Sequence, residues 1–148
     1  MIRVAIVGTG NISPQHIKGY LEFPERCEIV ALVDIYPEKA EDKKAKFGLK
    51  NADVYDDYRK ILDRDDIDLV DVCTPPYVHA EITIDALNAG KHVLVEKPMA
   101  ASLEECDLMI EAAIKNDKYL SVIAQNRFTD PFMKLKQVVD SGLAGDIV

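Results

Sequence analysis

A glycine-rich turn near the start of the chain has the residue types needed to hold a phosphate group. The segment GTGNIS, residues 8–13, follows an apolar run rich in β-branched residues and precedes helix-forming residues. Gly8 suits the tight turn, and Gly10 lets the backbone approach a pyrophosphate that free N–H groups at the helix start would hold. Ser13 replaces the last glycine of the G-x-G-x-x-G fingerprint, and we expect it to cap the helix. The predicted ligand contacts in this turn are Gly8, Thr9, Gly10, Asn11 and Ile12.

An acidic residue ends the next apolar run. Asp34, in LVDIYPEKA, stands 24 positions after Gly10. A carboxylate at this point can accept hydrogen bonds from adenosine ribose hydroxyls and repels a 2′-phosphate, which favours NAD over NADP. Ile35 beside it is a further predicted cofactor contact. A helix-capping or loop aspartate is the alternative interpretation of Asp34, and the nearby Lys39 leaves NADP open as the cofactor.

Short apolar strands alternate with amphipathic helices along the chain. Strands are predicted at 2–7, 28–33, 68–72, 92–95 and 119–124, with a weaker one at 52–55, and helices at 14–23, 37–47, 55–62, 78–88, 102–115 and 131–140. This alternation is typical of a parallel sheet covered on both faces. The predicted fold class is therefore α/β: a doubly wound parallel-sheet Rossmann domain with helices on both faces and strand order 3-2-1-4-5-6.

Composition limits the classes of partner. The formal net charge of −8 argues against nucleic acid, because phosphate binding needs a cationic surface. No apolar run approaches the ~18 residues of a membrane span, and no signal peptide precedes the first strand, so the cytoplasm is the expected location. Cys27, Cys73 and Cys106 lie far apart without a C-x-x-C pair, and no metal site is predicted. The acidic residues between 63 and 68 are interpreted as solvated turns before a strand.

A charged pair and a proline end the fifth predicted strand, in the segment LVEKPMAASL at residues 94–103. A lysine at the carboxyl end of a buried strand has its stem held by the fold. Its ammonium can then point into the crevice where α/β proteins bind ligands, and can bind or polarise a substrate hydroxyl. Pro98 would fix the turn that directs Lys97. Outside a wider motif, a surface lysine near a helix start would be the preferred interpretation.

Four segments supply that wider motif. GTGNIS, LVD, CTPPYVHAEITIDALNAGKHVLVEKPMA and QNRF occur in order, and with them the chain resembles the N-terminal half of the Gfo/Idh/MocA oxidoreductases. The pair T-P-P-x-x-H and A-G-K-H-V-L-V-E-K-P is the most specific part. Members of this family join a nicotinamide-binding Rossmann domain to a C-terminal α/β domain with a large, mainly antiparallel sheet. The resemblance implies that residues 1–148 form the NAD(P)-binding domain and that residues 145–148 begin the second domain.

The resemblance also implies the site residues. Lys97 becomes the catalytic residue, which in the family works with an aspartate and a histidine of the second domain, and the Lys97–Pro98 bond is expected to be cis. The further cofactor contacts that the resemblance implies are Thr74, Pro75 and Pro76 on the nicotinamide side with His79 just behind them, together with Cys73, Glu96, Lys97, Asn126 and Arg127. A stiff proline loop is the alternative for residues 73–76. A structural arginine that pairs with the acidic surface is the alternative for Arg127.

The implied activity is that of an NAD-dependent oxidoreductase acting on a small-molecule polyol, sugar or related alcohol, with a homo-oligomer expected for the complete protein. The family's second-domain stretch G-x-x-x-D-x-G-x-H does not occur in the sequence. We therefore expect the 148 residues alone to be inactive. A dinucleotide-bound regulator or sensor of the same family is the alternative function. A self-sufficient short Rossmann module is less favoured, because the last residues read as an interrupted strand.

Overall fold

Six strands and five α-helices make up the computed structural model, which describes residues 1–146. The strands are β1 (Ile2–Val7), β2 (Cys27–Val33), β3 (Asp53–Tyr55), β4 (Leu69–Val72), β5 (His92–Val95) and β6 (Leu120–Val122). The α-helices are α1 (Ser13–Leu21), α2 (Pro37–Phe47), α3 (His79–Asn88), α4 (Leu103–Lys115) and α5 (Asp130–Asp140). Short 3₁₀ helices occupy Tyr58–Ile61, Pro76–Val78 and Gln125–Phe128.

The strands form one sheet in the order β3-β2-β1-β4-β5-β6, and every neighbouring pair is parallel. This confirms the predicted Rossmann fold and strand order. Because all six strands run in the same direction, their carboxyl ends meet at one edge. The segments that follow β1, β2, β4 and β5 are therefore brought together there.

Apolar layers cover both faces of the sheet, because successive strand side chains point to opposite sides. One layer contains Ile17 of α1 and Ala40 of α2. The other contains Leu87 of α3 and Met109 of α4. The helices lie on both faces, as the sequence predicts for a doubly wound sheet.

Two predicted elements differ from the structure. Residues 55–62 do not form an α-helix, since Tyr55 closes β3 and only Tyr58–Ile61 is helical, as a 3₁₀ turn. Asp57 explains the change: its backbone is extended, and its carboxylate accepts a hydrogen bond from the Arg59 N–H, which starts a new turn after the strand. At the other end, Gly145 and Asp146 are not in a strand. The rest of the strand predicted at 145–148, Ile147 and Val148, lies outside the described residues.

Helix α5 lies on the outside of the domain. All of its residues are exposed, including Phe132 and Leu135, and its principal contact is with the preceding 3₁₀ helix. Within residues 1–146, no helix has both the length and the apolar character needed to cross a membrane.

The acidic residues before β4 are not all solvated, contrary to the sequence-based interpretation. Asp68 accepts hydrogen bonds from the Arg3 guanidinium at 3.0 and 2.9 Å and from the Arg3 backbone N–H at 2.8 Å. Asp66 pairs with Arg64 at 2.6 Å. The hydrogen bonds from Arg3 hold the pKa of Asp68 down at about 2. The Arg3–Asp68 pair therefore ties the beginning of β1 to the beginning of β4.

We expect Asp68→Asn to lower the free energy of unfolding by up to about 1 kcal/mol, as for other partly exposed ion pairs. Because the folded pKa lies below the ordinary value, this contribution is present above about pH 4 and is lost as the pH falls toward 2. Urea unfolding of both proteins between pH 7 and pH 2.5 checks it. Asp63→Asn, at an exposed position, is the control. If Asp68→Asn differed from the wild type in free energy of unfolding by the same amount at pH 7 and at pH 2.5, the assignment would be contradicted.

Candidate functional site

The glycine turn is packed tightly against the end of β4. Gly8 has a φ of +93°, and a Cβ atom placed on it would lie 2.7 Å from the carbonyl oxygen of Cys73 and 3.0 Å from Cγ2 of Thr74. Both the backbone conformation and the close approach require glycine. The turn after β1 and the loop after β4 are thus fixed side by side.

Gly10 faces open space, since a Cβ atom placed there meets no atom within 4 Å. Asn11 and Ile12 beside it are exposed. The predicted capping role of Ser13 is wrong: Ser13 is fully buried as the first residue of α1, and its hydroxyl donates to the Gly10 carbonyl at 2.9 Å. The N-cap residue Ile12 makes no side-chain hydrogen bond. Pro14 has no N–H, and the Gln15 N–H donates to the Ile12 carbonyl at 2.9 Å, so an anion at this end would be held by N–H groups that precede Pro14.

Asp34 is bound to the glycine turn. One carboxylate oxygen accepts from both the N–H and the hydroxyl of Thr9, each at 2.8 Å, and the other accepts from the Tyr36 N–H at 3.0 Å. Thr9 is 1% exposed, so the structure does not support its predicted direct contact with a cofactor. Thr9 instead positions Asp34, which is partly exposed, and Ile35 is 77% exposed next to it.

Lys39 is drawn toward Tyr36 and not toward Asp34. Its Nζ lies 4.2 Å from the centre of the Tyr36 ring, a cation–π distance. Tyr36 in turn donates its N–H to Asp34. Lys39, the basic residue that leaves NADP open as the cofactor, therefore contacts the hydrogen-bonding partner of Asp34 and not the Asp34 carboxylate itself.

The loop after β4 presents a buried hydroxyl without a partner. Thr74 Oγ1, like Thr83 Oγ1 in α3, is buried and makes no hydrogen bond within residues 1–146. Unsatisfied buried hydroxyls are rare and call for an explanation such as a ligand. Pro75 and Pro76 are exposed next to Thr74, whereas Cys73 is 6% exposed with its thiol directed to Asp71. The structure therefore does not support direct cofactor contact by Cys73.

His79 is fully buried behind this loop, so its predicted contact with the cofactor is also not supported. Its ring nitrogens lie 2.8 Å from the carbonyl oxygen of Thr74 and 2.9 Å from that of Pro98. His79 joins the loop after β4 to the turn after β5. It acts on the site by holding these two segments together.

Lys97 follows β5 and is exposed at the edge that carries Gly10 and Thr74. This confirms the predicted convergence of the three residues. The Lys97–Pro98 peptide is cis, also as predicted. Glu96 is 6% exposed, with one carboxylate oxygen 3.0 Å from His16 Nε2 and the other accepting from the Lys97 N–H at 3.0 Å.

A mostly apolar groove of about 710 Å³ runs along the sheet beside α1. Ile12, Glu96 and Gln125 line it together with His16. Sequence reasoning chose the neighbours of Gln125 in the 3₁₀ helix, Asn126 and Arg127, which are exposed. Among the ion pairs of residues 1–146 none involves Arg127, so the alternative of a structural arginine gains no support.

Sequence reasoning missed the contribution of His16 and Asp71. Asp71 is fully buried and lies 2.8 Å from Nδ1 of His16. The sequence contained one indication of this contact. Asp71 lies in the middle of the apolar run LVDVC, and a carboxylate in a buried strand needs a hydrogen-bonding or charged partner. The partner itself lies 55 positions away and could not be identified from spacing.

The residues that converge have complementary chemistry. The open backbone at Gly10 and the uncapped start of α1 suit an anion, while Asp34 suits vicinal hydroxyls. Thr74 has a buried hydroxyl without a partner among the described residues, and Lys97 is exposed at the same edge. Together they fit a dinucleotide with a hydroxyl-bearing substrate beside it.

Comparison with known proteins agrees with this geometry. Residues 2–124 match the model of a family described as an oxidoreductase family with an NAD-binding Rossmann fold. Inositol 2-dehydrogenase of Salmonella typhimurium is 32% identical over 145 residues, which are 97% of this chain and 43% of that protein. The chain thus spans less than half the length of this relative.

Solved structures share the fold. The WlbA dehydrogenase of Bordetella pertussis, in complex with NADH and UDP-GlcNAcA, matches with a TM-score of 0.90 and 30% identity over 97% of this chain and 43% of that one. The scyllo-inositol dehydrogenase of Lactobacillus casei, with bound NAD(H) and scyllo-inositol, matches with a TM-score of 0.89 and 28% identity over 99% of this chain and 43% of that one.

The two glycines of the turn should respond differently to substitution. We expect Gly8→Ala to destabilise the fold by at least about 2 kcal/mol, because strain at positive φ adds to the clash with Cys73. Gly10→Ala should leave stability near that of the wild type and weaken NADH binding, since its methyl group would stand where a pyrophosphate approaches. Thermal unfolding and NADH fluorescence titration measure the two effects. Equal loss of stability in both variants would contradict this division of roles.

Proposed function

Because the chain belongs to the Gfo/Idh/MocA oxidoreductase family with its NAD-binding Rossmann fold, we propose that it is the cofactor-binding portion of a dehydrogenase for a polyol, sugar or related alcohol. The observation that carries the proposal is the convergence of Gly10, Thr74 and Lys97 at one edge of the sheet. The relatives' names support the substrate class: they include inositol and scyllo-inositol dehydrogenases.

Each part of the site has a distinct task in this proposal. Gly10 and the start of α1 hold the pyrophosphate, and Asp34, with Ile35 beside it, receives the adenosine ribose. Asp34 can do so while bound to Thr9, because each carboxylate oxygen has two acceptor positions. Thr74, Pro75 and Pro76 form the wall on the nicotinamide side, and Pro75 and Pro76 are its exposed part. Asn126 and Arg127 stay predicted contacts on the far side.

Bound NAD supplies the hydride acceptor. Lys97 binds or polarises the substrate hydroxyl, because its ammonium is the exposed cation at the end of β5. A hydrogen bond to an ionised donor is about twice as strong as a neutral one, which orients the alcohol carbon. We place the complete protein in the cytoplasm as a homo-oligomer, as the sequence led us to expect.

The preference for NAD is expected to depend on the charge of Asp34. Asp34→Ala removes the carboxylate that repels a 2′-phosphate, so the ratio of NADP to NAD dissociation constants should fall about tenfold or more. Calorimetric titration with both oxidised cofactors measures this ratio. Thr9→Val is the matched control, since it removes one hydrogen bond to Asp34 but keeps the charge, and its ratio should stay near that of the wild type. Wild-type protein that binds NADP as well as NAD would refute the assignment.

The 148-residue chain itself should turn over a polyol very slowly even when saturated with NAD. Lys97 stands exposed in a site that does not enclose a substrate within residues 1–146, and both positioning and general base catalysis commonly contribute 10²-fold or more. NADH formation from inositols, sugars and sugar acids is the test. Inositol 2-dehydrogenase of Salmonella typhimurium with inositol is the positive control. A rate approaching that of the control would show that the catalytic groups are misassigned.

A further inference from the structure

A buried charged cluster lies under the site, and the proposed function does not use it. We call His16, Asp71 and Glu96 the buried cluster. The side chain of His16 is 7% exposed, that of Asp71 is fully buried, and that of Glu96 is 8% exposed. His16 Nδ1 lies 2.8 Å from Asp71 Oδ2, and His16 Nε2 lies 3.0 Å from Glu96 Oε1. A single imidazole thus bridges two carboxylates.

A protonated His16 matches two ionised carboxylates. Ionised carboxylates only accept hydrogen bonds, so both ring nitrogens must donate. Burial acts to lower the pKa of His16, but the hydrogen bonds and negative charges of Asp71 and Glu96 outweigh it and raise the pKa. Two buried carboxylates without a cation between them would be strongly unfavourable.

Two further titratable groups face the cluster, and both stay neutral. The Tyr20 hydroxyl of α1 donates to Asp71 Oδ2 at 3.0 Å, and burial together with Asp71 raises the pKa of Tyr20. Burial, Asp71 and Glu96 likewise raise the pKa of the Cys73 thiol. Neither Tyr20 nor Cys73 therefore adds a negative charge to the cluster.

The cluster reaches Lys97 through one residue. Glu96 uses Oε1 for His16 and Oε2 for the backbone N–H of Lys97, at 3.0 Å in each case. His16 itself belongs to α1, the helix that begins directly after the glycine turn. The cluster thus connects the start of α1 to the peptide from which the Lys97 side chain emerges.

We propose that His16 is a positioning residue for Lys97, holding the end of β5 in a fixed place relative to the glycine turn through Glu96. The inference rests on the proposed function, because it gives Lys97 its place opposite the cofactor. A misplacement of about 1 Å in such a group can cost 10²-fold in rate, so a rigid connection has catalytic value.

The same atoms could be taken for a metal site, since donor atoms of His16, Asp71 and Cys73 lie within 4.8 Å of one another. Both imidazole nitrogens are already engaged by carboxylates. The Cys73 thiol is also engaged, since it donates to Asp71 Oδ1 at 3.7 Å. These contacts favour a hydrogen-bonded cluster over a metal site.

NMR spectroscopy of the labelled chain tests the proposal. In the wild type, the Lys97 amide signal should move with pH at the same midpoint as the His16 ring signals, above 6.5. In His16→Gln this movement should disappear, and hydrogen exchange of the Lys97 amide should accelerate about tenfold or more. NADH affinity should change less than about threefold, because the pyrophosphate and ribose contacts remain.

His92→Gln is the matched control, since His92 begins the same strand and bonds Tyr119, at the far end of β5 from Lys97. It should leave the Lys97 signal unchanged. If His16→Gln does not fold, Glu96→Gln takes its place and should both lower the His16 midpoint and accelerate exchange at Lys97.

Three results would overturn the proposal: a folded variant with unchanged titration and exchange at Lys97, equal acceleration along the whole of β5, or stoichiometric shifts of the His16 and Cys73 signals on addition of Zn²⁺. Failure of the wild-type chain to bind NADH would instead refute the proposed function, whatever the result at His16.

Discussion

The close approach of Gly8 to the carbonyl group of Cys73 is the constraint on which the site depends. With 2.7 Å between that oxygen and the place of a Cβ atom, the turn after β1 can sit directly against the loop after β4. This contact fixes the turn that carries Gly10 against the loop that carries Thr74. It also brings the start of α1 close enough to the sheet for His16 to reach Asp71 in β4 and Glu96 after β5.

The chain has a formal net charge of −8, and the carboxyl groups near the site are each held by hydrogen bonds. The glycine turn and the first turn of α1 contain no acidic residue, while Asp34 is held to one side by Thr9 and Tyr36. The buried carboxyl groups of Asp71 and Glu96 are bridged by His16. An acidic protein can therefore offer a dinucleotide a favourable surface without a basic patch.

The fold could be predicted from sequence because its determinants are local. Apolar runs, helix stops such as Gly48 and the glycine turn each act within a few residues, and a parallel sheet then allows few arrangements. The exposed part of the site, with Gly10, Asp34 and Lys97, followed from motifs in the same way. Burial was harder to predict: Thr9, Cys73 and His79 lie in the motifs but support other residues from behind. The bond between His16 and Glu96 joins positions 80 apart, which no local pattern reveals.

His79 couples the loop after β4 to the turn after β5. Its ring touches the backbone carbonyl groups of both Thr74 and Pro98, so neither segment can shift without disturbing the other. By thermodynamic linkage, any molecule that selects one arrangement of the first loop selects the matching arrangement of the second, and the effect is equal in the reverse direction. Occupancy beside the loop after β4 and order around Lys97 are thereby coupled in both directions through a fully buried side chain.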